Sequence, residues 1–390
     1  MRLASGFFIM STSRHLVDQR LAADSEAGLP PGMAYVGPIA DVPAVLAQLG
    51  GDAEEIFADA DFDLSLCEHR HNQICVLAVE RLLLLCSERT SCHHFGLLIG
   101  RQAILTSLGL LGSLMRSSAT LGHALRGLER HLRVRTRGGI VQLKVDDDFA
   151  VLSYCPYYSM GEGAGLVCEA ALAAMTQVVR ELCGPTWVAT EVLVPRRTPG
   201  NSEPYRSAFR AQVHFNQEVA ALVFPATSLK QPLPSADPII HQNLQQHIEE
   251  VERIAPHDAV DELRRQLCKK LLKEKCSATT MARRLSMHRR TLNRRLKSKG
   301  TGFQAIADEM RSALARHMLA DTELPLVHIA AALDFSEPAA FTHAFRRWSG
   351  GVPPSVWRAQ RSVQRGGGDA RVLSGARRTA SAVQREEVSR

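Results

Sequence analysis

The chain has 390 residues, 45% of them hydrophobic and 22% charged, which is core-forming material for two or three domains rather than one. No apolar run reaches the roughly 18 residues that a membrane helix needs, so no membrane partner is expected. The net charge of +7 is segregated at the C-terminal end, as a polyanion-binding surface requires and as a solvated basic face or basic tail also gives: residues 257–360 hold 19 Lys/Arg against 10 Asp/Glu and 361–390 hold 7 against 3, while 1–256 hold 21 against 27.

Residues 1–32 read as a disordered extension. The apolar patch Phe7–Met10 is too short for a signal peptide, and Met10 and Met33 are alternative starts. Residues 33–230 read as an α+β domain for sensing and dimerisation. Val42–Leu49 is a short helix. Arg70–Arg89 carries Ile74, Leu77, Ala78, Arg81, Leu82 and Leu85 mostly at helical spacing. Leu105–Arg116 is a Gly-punctuated apolar helix. Thr120 then caps Leu121–Val134, with Leu121, Ala124, Leu125, Leu128 and Leu132 on one face. Ile140–Val145 and Phe149–Tyr154 form a hairpin around Asp146–Asp148. Gly163–Cys183 is a long apolar helix stopped by Gly184-Pro185. Strands are expected at Val188–Pro195, Gln212–Phe215 and Ala221–Phe224. Residues 231–256, beside a proline cluster, read as a linker with a short helix. Residues 257–360 form an all-α domain, and 361–390 a disordered basic tail.

Candidate sites in the first domain are few. Tyr154, Tyr157 and Tyr158 follow the hairpin and are candidates to line a pocket and offer hydroxyls to a polar effector; loop and core packing is the other reading. Arg133, Arg135 and Arg137 alternate after the Leu121 helix. They read first as surface charge and second as partners for an acidic ligand. The nine cysteines include no CxxC pair, so neither a zinc site nor a disulfide framework is expected, and most read as buried small side chains in a reducing cytoplasm. Cys92-His93-His94 lacks a second ligand cluster, so no metal and no other cofactor is expected.

The strongest signal is a repeat. Met281-Ala282-Arg283-Arg284-Leu285-Ser286-Met287 returns 48 residues later as Ile329-Ala330-Ala331-Ala332-Leu333-Asp334-Phe335. Each copy has a small residue where two helices cross, then Leu, a turn residue and an apolar residue. Each is followed by a helix with an apolar pair at i, i+4, Leu292/Leu296 and Phe341/Phe345. That is the pattern of two helix-turn-helix units. Between them, Phe303–Ala320 is one amphipathic helix without Gly or Pro. Such a stiff spacer holds two recognition helices in successive major grooves, roughly 34 Å apart.

In the first recognition helix, His288–Ser298, Arg290, Asn293 and Arg294 share one face opposite Leu292/Leu296. Arg grips guanine and Asn grips adenine bidentately, so these three are the expected base readers. Arg289, Arg295 and Lys297 are expected on phosphate. The second helix, Glu337–Trp348, starts with Ser336 as N-cap, Glu337 in the first turn and Pro338. Its outward face offers Ala339, Thr342 and His343, with Arg346 and Arg347 on phosphate.

The runs ARRLSMHRRTLNRRL and FSEPAAFTHAFRRW, with Gly351–Pro354 and Trp357-Arg358, resemble the AraC/XylS family of bacterial transcription regulators. Residues 33–230, through TSLGLLGSLMRSSATLGHALRGLERHL, LVFPATSL and PLPSADP, resemble the arabinose-binding-like N-terminal domain of one branch. The resemblance implies a dimeric, effector-responsive regulator whose major-groove residues fall on Arg290, Asn293 and Arg294, then on Ala339, Thr342 and His343. It departs from the family where Ser286 and Asp334 replace the turn glycines, where His288 replaces a capping Ser, and where His343 replaces an Arg. The first unit is therefore expected to have the poorer turn and cap but the stronger reading face.

The expected function is sequence-specific regulation of transcription in response to a small-molecule effector. The expected partners are double-stranded promoter DNA, a second copy of the chain and RNA polymerase, in the cytoplasm at the nucleoid. An effector-independent dimeric regulator is the alternative. An enzyme fused to the DNA-binding domain would need a loop nucleophile, for which Cys155 is the candidate; no catalytic residue is assigned.

Overall fold

The computed structural model describes residues 29–158, 161–255, 258–269 and 277–361. The extension expected over 1–32 is corrected at its end: Leu29 is 1% exposed, and its carbonyl accepts from Arg137 Nη1 at 2.7 Å. Residues before 29, Cys276 and the tail from 362 lie outside the described residues.

β1 (Met33–Tyr35) leads to α1 (Val42–Gln48) and α2 (Ala53–Asp59), and β2 (Gln73–Cys75) returns antiparallel to β1 with Ala34 opposite Ile74. The Asp52 carboxylate caps α2 by accepting from the Glu55 amide at 3.2 Å. α3 (Val76–Arg89) begins only where this pairing ends, so the helix expected from Arg70 is shorter. Its buried stripe is Val79, Leu82, Leu83 and Cys86, while Leu77, expected inward, is 53% exposed.

α4 (Phe95–Gly100), α5 (Leu110–Arg116) and α6 (Leu121–His131) follow. The apolar stretch from Leu105 is broken at Gly109, whose φ of +57° a side chain rarely tolerates. The Thr120 hydroxyl caps α6 by accepting from the His123 amide at 3.3 Å, and Leu121, Ala124, Leu125 and Leu128 are buried as their spacing predicts.

Then come β3 (Gly139–Val145), β4 (Phe149–Pro156), α7 (Ala164–Cys183), β5 (Glu191–Leu193), α8 (Glu203–Phe209), β6 (Gln212–His214) and β7 (Ala220–Pro225). The sheet order is β3-β4-β7-β5-β6, with β5 and β6 parallel and the other neighbours antiparallel. Leu152 of β4 faces Leu143 on one side and Leu222 on the other. The strand expected over Val188–Pro195 survives as three residues. α6 and α7 contribute Leu125, Leu172 and Val179 to the core that Leu152 and Leu222 also enter. α4 lies so close to α7 that a Cβ at Gly96 or Gly100 would strike the carbonyls of Leu166 and Ala170.

α9 (Pro238–Ile254) is 17 residues long, and its Ile248 is fully buried in the same core. The short linking helix expected here is thus a docked element of the first domain. The C-terminal domain is α10 (Ala259–Cys268), α11 (Ala278–Arg284), α12 (Arg289–Ser298), α13 (Phe303–Asp321), α14 (Leu326–Ala332) and α15 (Pro338–Trp348). Leu263, Leu267, Met281, Leu292, Met310, Leu319, Phe341 and Phe345 share one core, which also takes in Ile140 and Tyr157 from the first domain. Among the described residues, no helix is long and apolar enough to cross a membrane.

Candidate nucleic-acid interface

The repeat seen in sequence is a repeat in backbone geometry. After α11, the Ser286 amide donates to Arg283 at 3.0 Å and the Met287 amide reaches back to Ala282 at 2.8 Å. After α14, Asp334 donates to Ala331 at 3.0 Å and Phe335 to Ala330 at 3.0 Å. Both pivots are left-handed, with φ of +52° at Ser286 and +64° at Asp334. Ala282 and Ala330 are each 1% exposed, which lets the next helix cross closely.

α12 buries Leu292 and Leu296 and leaves Arg290, Asn293, Arg294 and Lys297 exposed on the opposite side. These four line one surface depression together with Thr291, Thr301 and Gly302. The last three were not singled out in the sequence; their signal was position, at the start of α12 and directly before α13. Arg289 is exposed. Arg295 lines a different cavity, of about 480 Å3, between the two domains, alongside Tyr157, Asp258, Glu262 and Arg284. His288 does what a capping Ser would do: its Nδ1 accepts from the Arg290 amide at 3.2 Å.

The start of α15 reverses the expected ranking. Its N-cap is Glu337, not Ser336, and no side chain caps it. Pro338 still opens the helix, where its missing N–H costs nothing. Phe341 and Phe345 are buried, and Phe345 meets Trp357 edge-on at 5.9 Å. Ala339, His343 and Arg346 are exposed. Thr342 is half-buried, its hydroxyl donating to the Pro338 carbonyl at 3.0 Å, and Arg347 lies 3.4 Å from Asp308. The second reading face therefore presents fewer unengaged polar groups than the first.

α13 braces both units. Glu309 pairs with Arg264 of α10 at 2.7 Å, Arg311 with Asp334 of the second turn at 3.8 Å, and Arg316 donates to the Trp348 carbonyl at 2.9 Å.

Of the three candidate tyrosines, Tyr157 and Tyr158 are brought together, their ring centroids 5.3 Å apart, while Tyr154 lies elsewhere. Tyr154 lines a cavity within the first domain. Tyr157 is 3% exposed at the domain junction, and Tyr158 packs beneath Arg264 at 5.3 Å. Burial pushes all three phenols up. Arg135 and Arg137 are 9% and 8% exposed, which overturns their reading as surface charge. Arg137 Nε donates to Asp261 at 2.9 Å, and Arg133 Nη2 donates to the Glu252 carbonyl at 2.9 Å. Cys155 lies in β4 rather than a loop and is disulfide-bonded to Cys268 of α10, a single bond and not a framework. The remaining described cysteines are free: Cys86, Cys92 and Cys168 are buried, and Cys75 is exposed. Among the described residues, no cluster could hold a metal ion.

Residues 50–233 match the family model for the N-terminal arabinose-binding domain of AraC transcription regulators, and residues 281–360 match a helix-turn-helix domain model. The Ornithine utilization regulator of Pseudomonas aeruginosa is 29% identical over 261 residues, covering 66% of this chain and 76% of that one. The HTH-type transcriptional regulator VirS of Mycobacterium tuberculosis is 28% identical over 327 residues, covering 82% and 94%. Among solved structures, the transcriptional regulator CdpR of Pseudomonas aeruginosa aligns with a TM-score of 0.40 at 21% identity, covering 78% of this chain and 96% of that one.

Proposed function

We propose, from the premise that the chain belongs to the AraC family of DNA-binding transcription regulators, that it reads promoter DNA chiefly through Arg290, Asn293 and Arg294. The observation that carries this reading is their shared, exposed placement on α12, opposite the buried Leu292 and Leu296. Lys297 and Arg289 then hold phosphate and fix the register of the helix on the duplex. Ala339, Thr342 and His343 of α15 supply a thinner second contact, with Arg346 and Arg347 toward phosphate and Glu337 at the helix start. Arg295 keeps its expected phosphate role only if DNA reaches the junction side of α12.

The first domain is read as the effector-binding and dimerising half. The chain then works in the cytoplasm at the nucleoid as a homodimer that meets RNA polymerase at the promoter. A screen of full-length protein against small metabolites tests the effector: stabilisation by one chemical class supports it through ligand–stability linkage. A flat screen favours an effector-independent dimer.

The DNA reading is tested by selection from a random duplex pool with the full chain. The expected product is a motif with two elements about 10 base pairs apart, strongest in the element that α12 meets. A pool without enrichment overturns it.

A further inference from the structure

Between β1, α3, α7 and β4 lies a cavity of about 210 Å3, walled by Tyr35, Ile74, Val79, Ile99, Tyr154 and Ala174. Among its lining residues, Arg135 alone carries a full charge. Its Nη2 donates to the Ser107 carbonyl at 2.9 Å, and its guanidinium carbon lies 4.5 Å from the centre of the Tyr35 ring. Both of those partners are neutral. Asp41, in the same corner, is already gripped through both oxygens by Arg70 Nη2, at 2.8 and 2.9 Å. Among the described residues, no carboxylate pairs with Arg135. Burial pulls its guanidinium down to about 10, which leaves it a cation at neutral pH.

A buried cation facing apolar walls is costly unless an anion joins it. The partner that suits a guanidinium is a carboxylate, accepted by two parallel N–H donors. The rest of the lining suits hydrocarbon: Ala170, Ala171 and Ala174 of α7 leave room, and Ile74, Val79 and Ile99 supply contact. An engineered apolar cavity of about 150 Å3 takes benzene, so this one has room for roughly eight non-hydrogen atoms.

We propose that this cavity binds a small monocarboxylate with an apolar body, its carboxylate on Arg135 and its ring or chain among Ile74, Val79, Ile99 and Ala174. The assignment rests on the effector reading above and gives that effector a chemical class. Tyr154 lies along the lining, which keeps one of the three sequence candidates at the site and leaves Tyr157 and Tyr158 to the domain junction.

The test is titration calorimetry of the full chain with benzoate, hexanoate and benzamide, the last an uncharged isostere of the first. Benzoate is expected to bind at least about tenfold more tightly than benzamide, the margin of one charge-assisted hydrogen bond. Arg135→Gln should erase that margin. Ala171→Leu fills the cavity while keeping Arg135 and should abolish binding of both carboxylates. Should Arg135→Gln not fold, as judged by circular dichroism, the isostere contrast and Ala171→Leu carry the test. Equal binding of benzoate and benzamide, unchanged binding by Ala171→Leu, or no binding of either carboxylate overturns the assignment. Failure here, with a motif still returned by duplex selection, leaves the DNA reading standing. Carboxylate binding that leaves DNA affinity unchanged sustains the cavity and overturns the effector response.

Discussion

Arg137, just before β3, donates from Nε to Asp261 of α10 across 2.9 Å, with both side chains buried. This ion pair joins the two domains beside the Cys155–Cys268 disulfide and the shared packing of Ile140 and Tyr157. Removing one partner of a buried pair strands the other charge, which costs about 3–5 kcal/mol.

Arg137→Met is therefore expected to destabilise the protein by about that much at neutral pH. The loss should depend on pH. Burial already pushes the Asp261 carboxyl above its ordinary value of 3.8, with Arg137 opposing. A carboxyl raised in the folded state contributes stability that is full below its unfolded pKa and is lost as pH rises through the folded one. Without Arg137 that rise grows, so the variant should approach wild-type stability near pH 4 and fall away toward neutrality, as read by urea unfolding across pH. A deficit that does not vary with pH would remove Asp261 from the explanation.

Arg294→Ala should weaken binding to the selected duplex by about 1–3 kcal/mol and relax preference at one base pair. Arg295→Ala should cost less and leave the preferred sequence unchanged, because that side chain lines the junction cavity. Binding titrations against a panel of single-base variants separate the two. Equal effects on specificity would place the reading face wrongly.

Ser286 holds φ of +52° without the freedom of a glycine. A left-handed non-glycine residue carries about 1–2 kcal/mol of strain, partly returned to glycine through unfolded-state entropy. Ser286→Gly should thus stabilise by roughly 0.5–1 kcal/mol, seen as a rise in Tm. Asp334→Gly should gain less, since Asp tolerates this backbone better and Asp334 lies 3.8 Å from Arg311.

The Cys155–Cys268 bond closes a loop of 113 residues. Constraining so long a loop in the unfolded chain is worth about 2–4 kcal/mol in typical cases. Dithiothreitol should lower the Tm and slow migration in a denaturing gel. Cys155→Ser and Cys268→Ser should each abolish the response to reductant. An identical melting curve with and without reductant would show the bond to be irrelevant to stability.

What the sequence revealed was what local periodicity records. Ala282, Leu292 and Leu296 announce helices, a crossing and a core face within twenty residues, and the structure places them so. Contacts between distant segments leave no such trace. Arg137 and Asp261 are 124 residues apart, and three arginines in alternation looked like surface charge. Ile248, with Leu244 beside it, docks α9, but the same helix leaves Ile239, Ile240 and Ile254 exposed, so its apolar residues did not mark the docked face. Caps failed for another reason. Ser is the favoured residue at a helix start, but backbone conformation decides: Glu337, at φ −142° and ψ 144°, is the last extended residue before Pro338. At His288 an imidazole nitrogen sits where a hydroxyl is expected and accepts the same amide.

The docking of α9 also sets a leash. Four residues separate Ile254, at the end of α9, from Ala259, at the start of α10. Fully stretched, such a tether spans at most about 18 Å. With α9 docked, and with the Arg137–Asp261 pair and the Cys155–Cys268 bond beside it, the second domain is held against the first. Were two copies to pair through their first domains, as proposed, the separation of their α12 helices would be set there, and with it the spacing of operator half-sites.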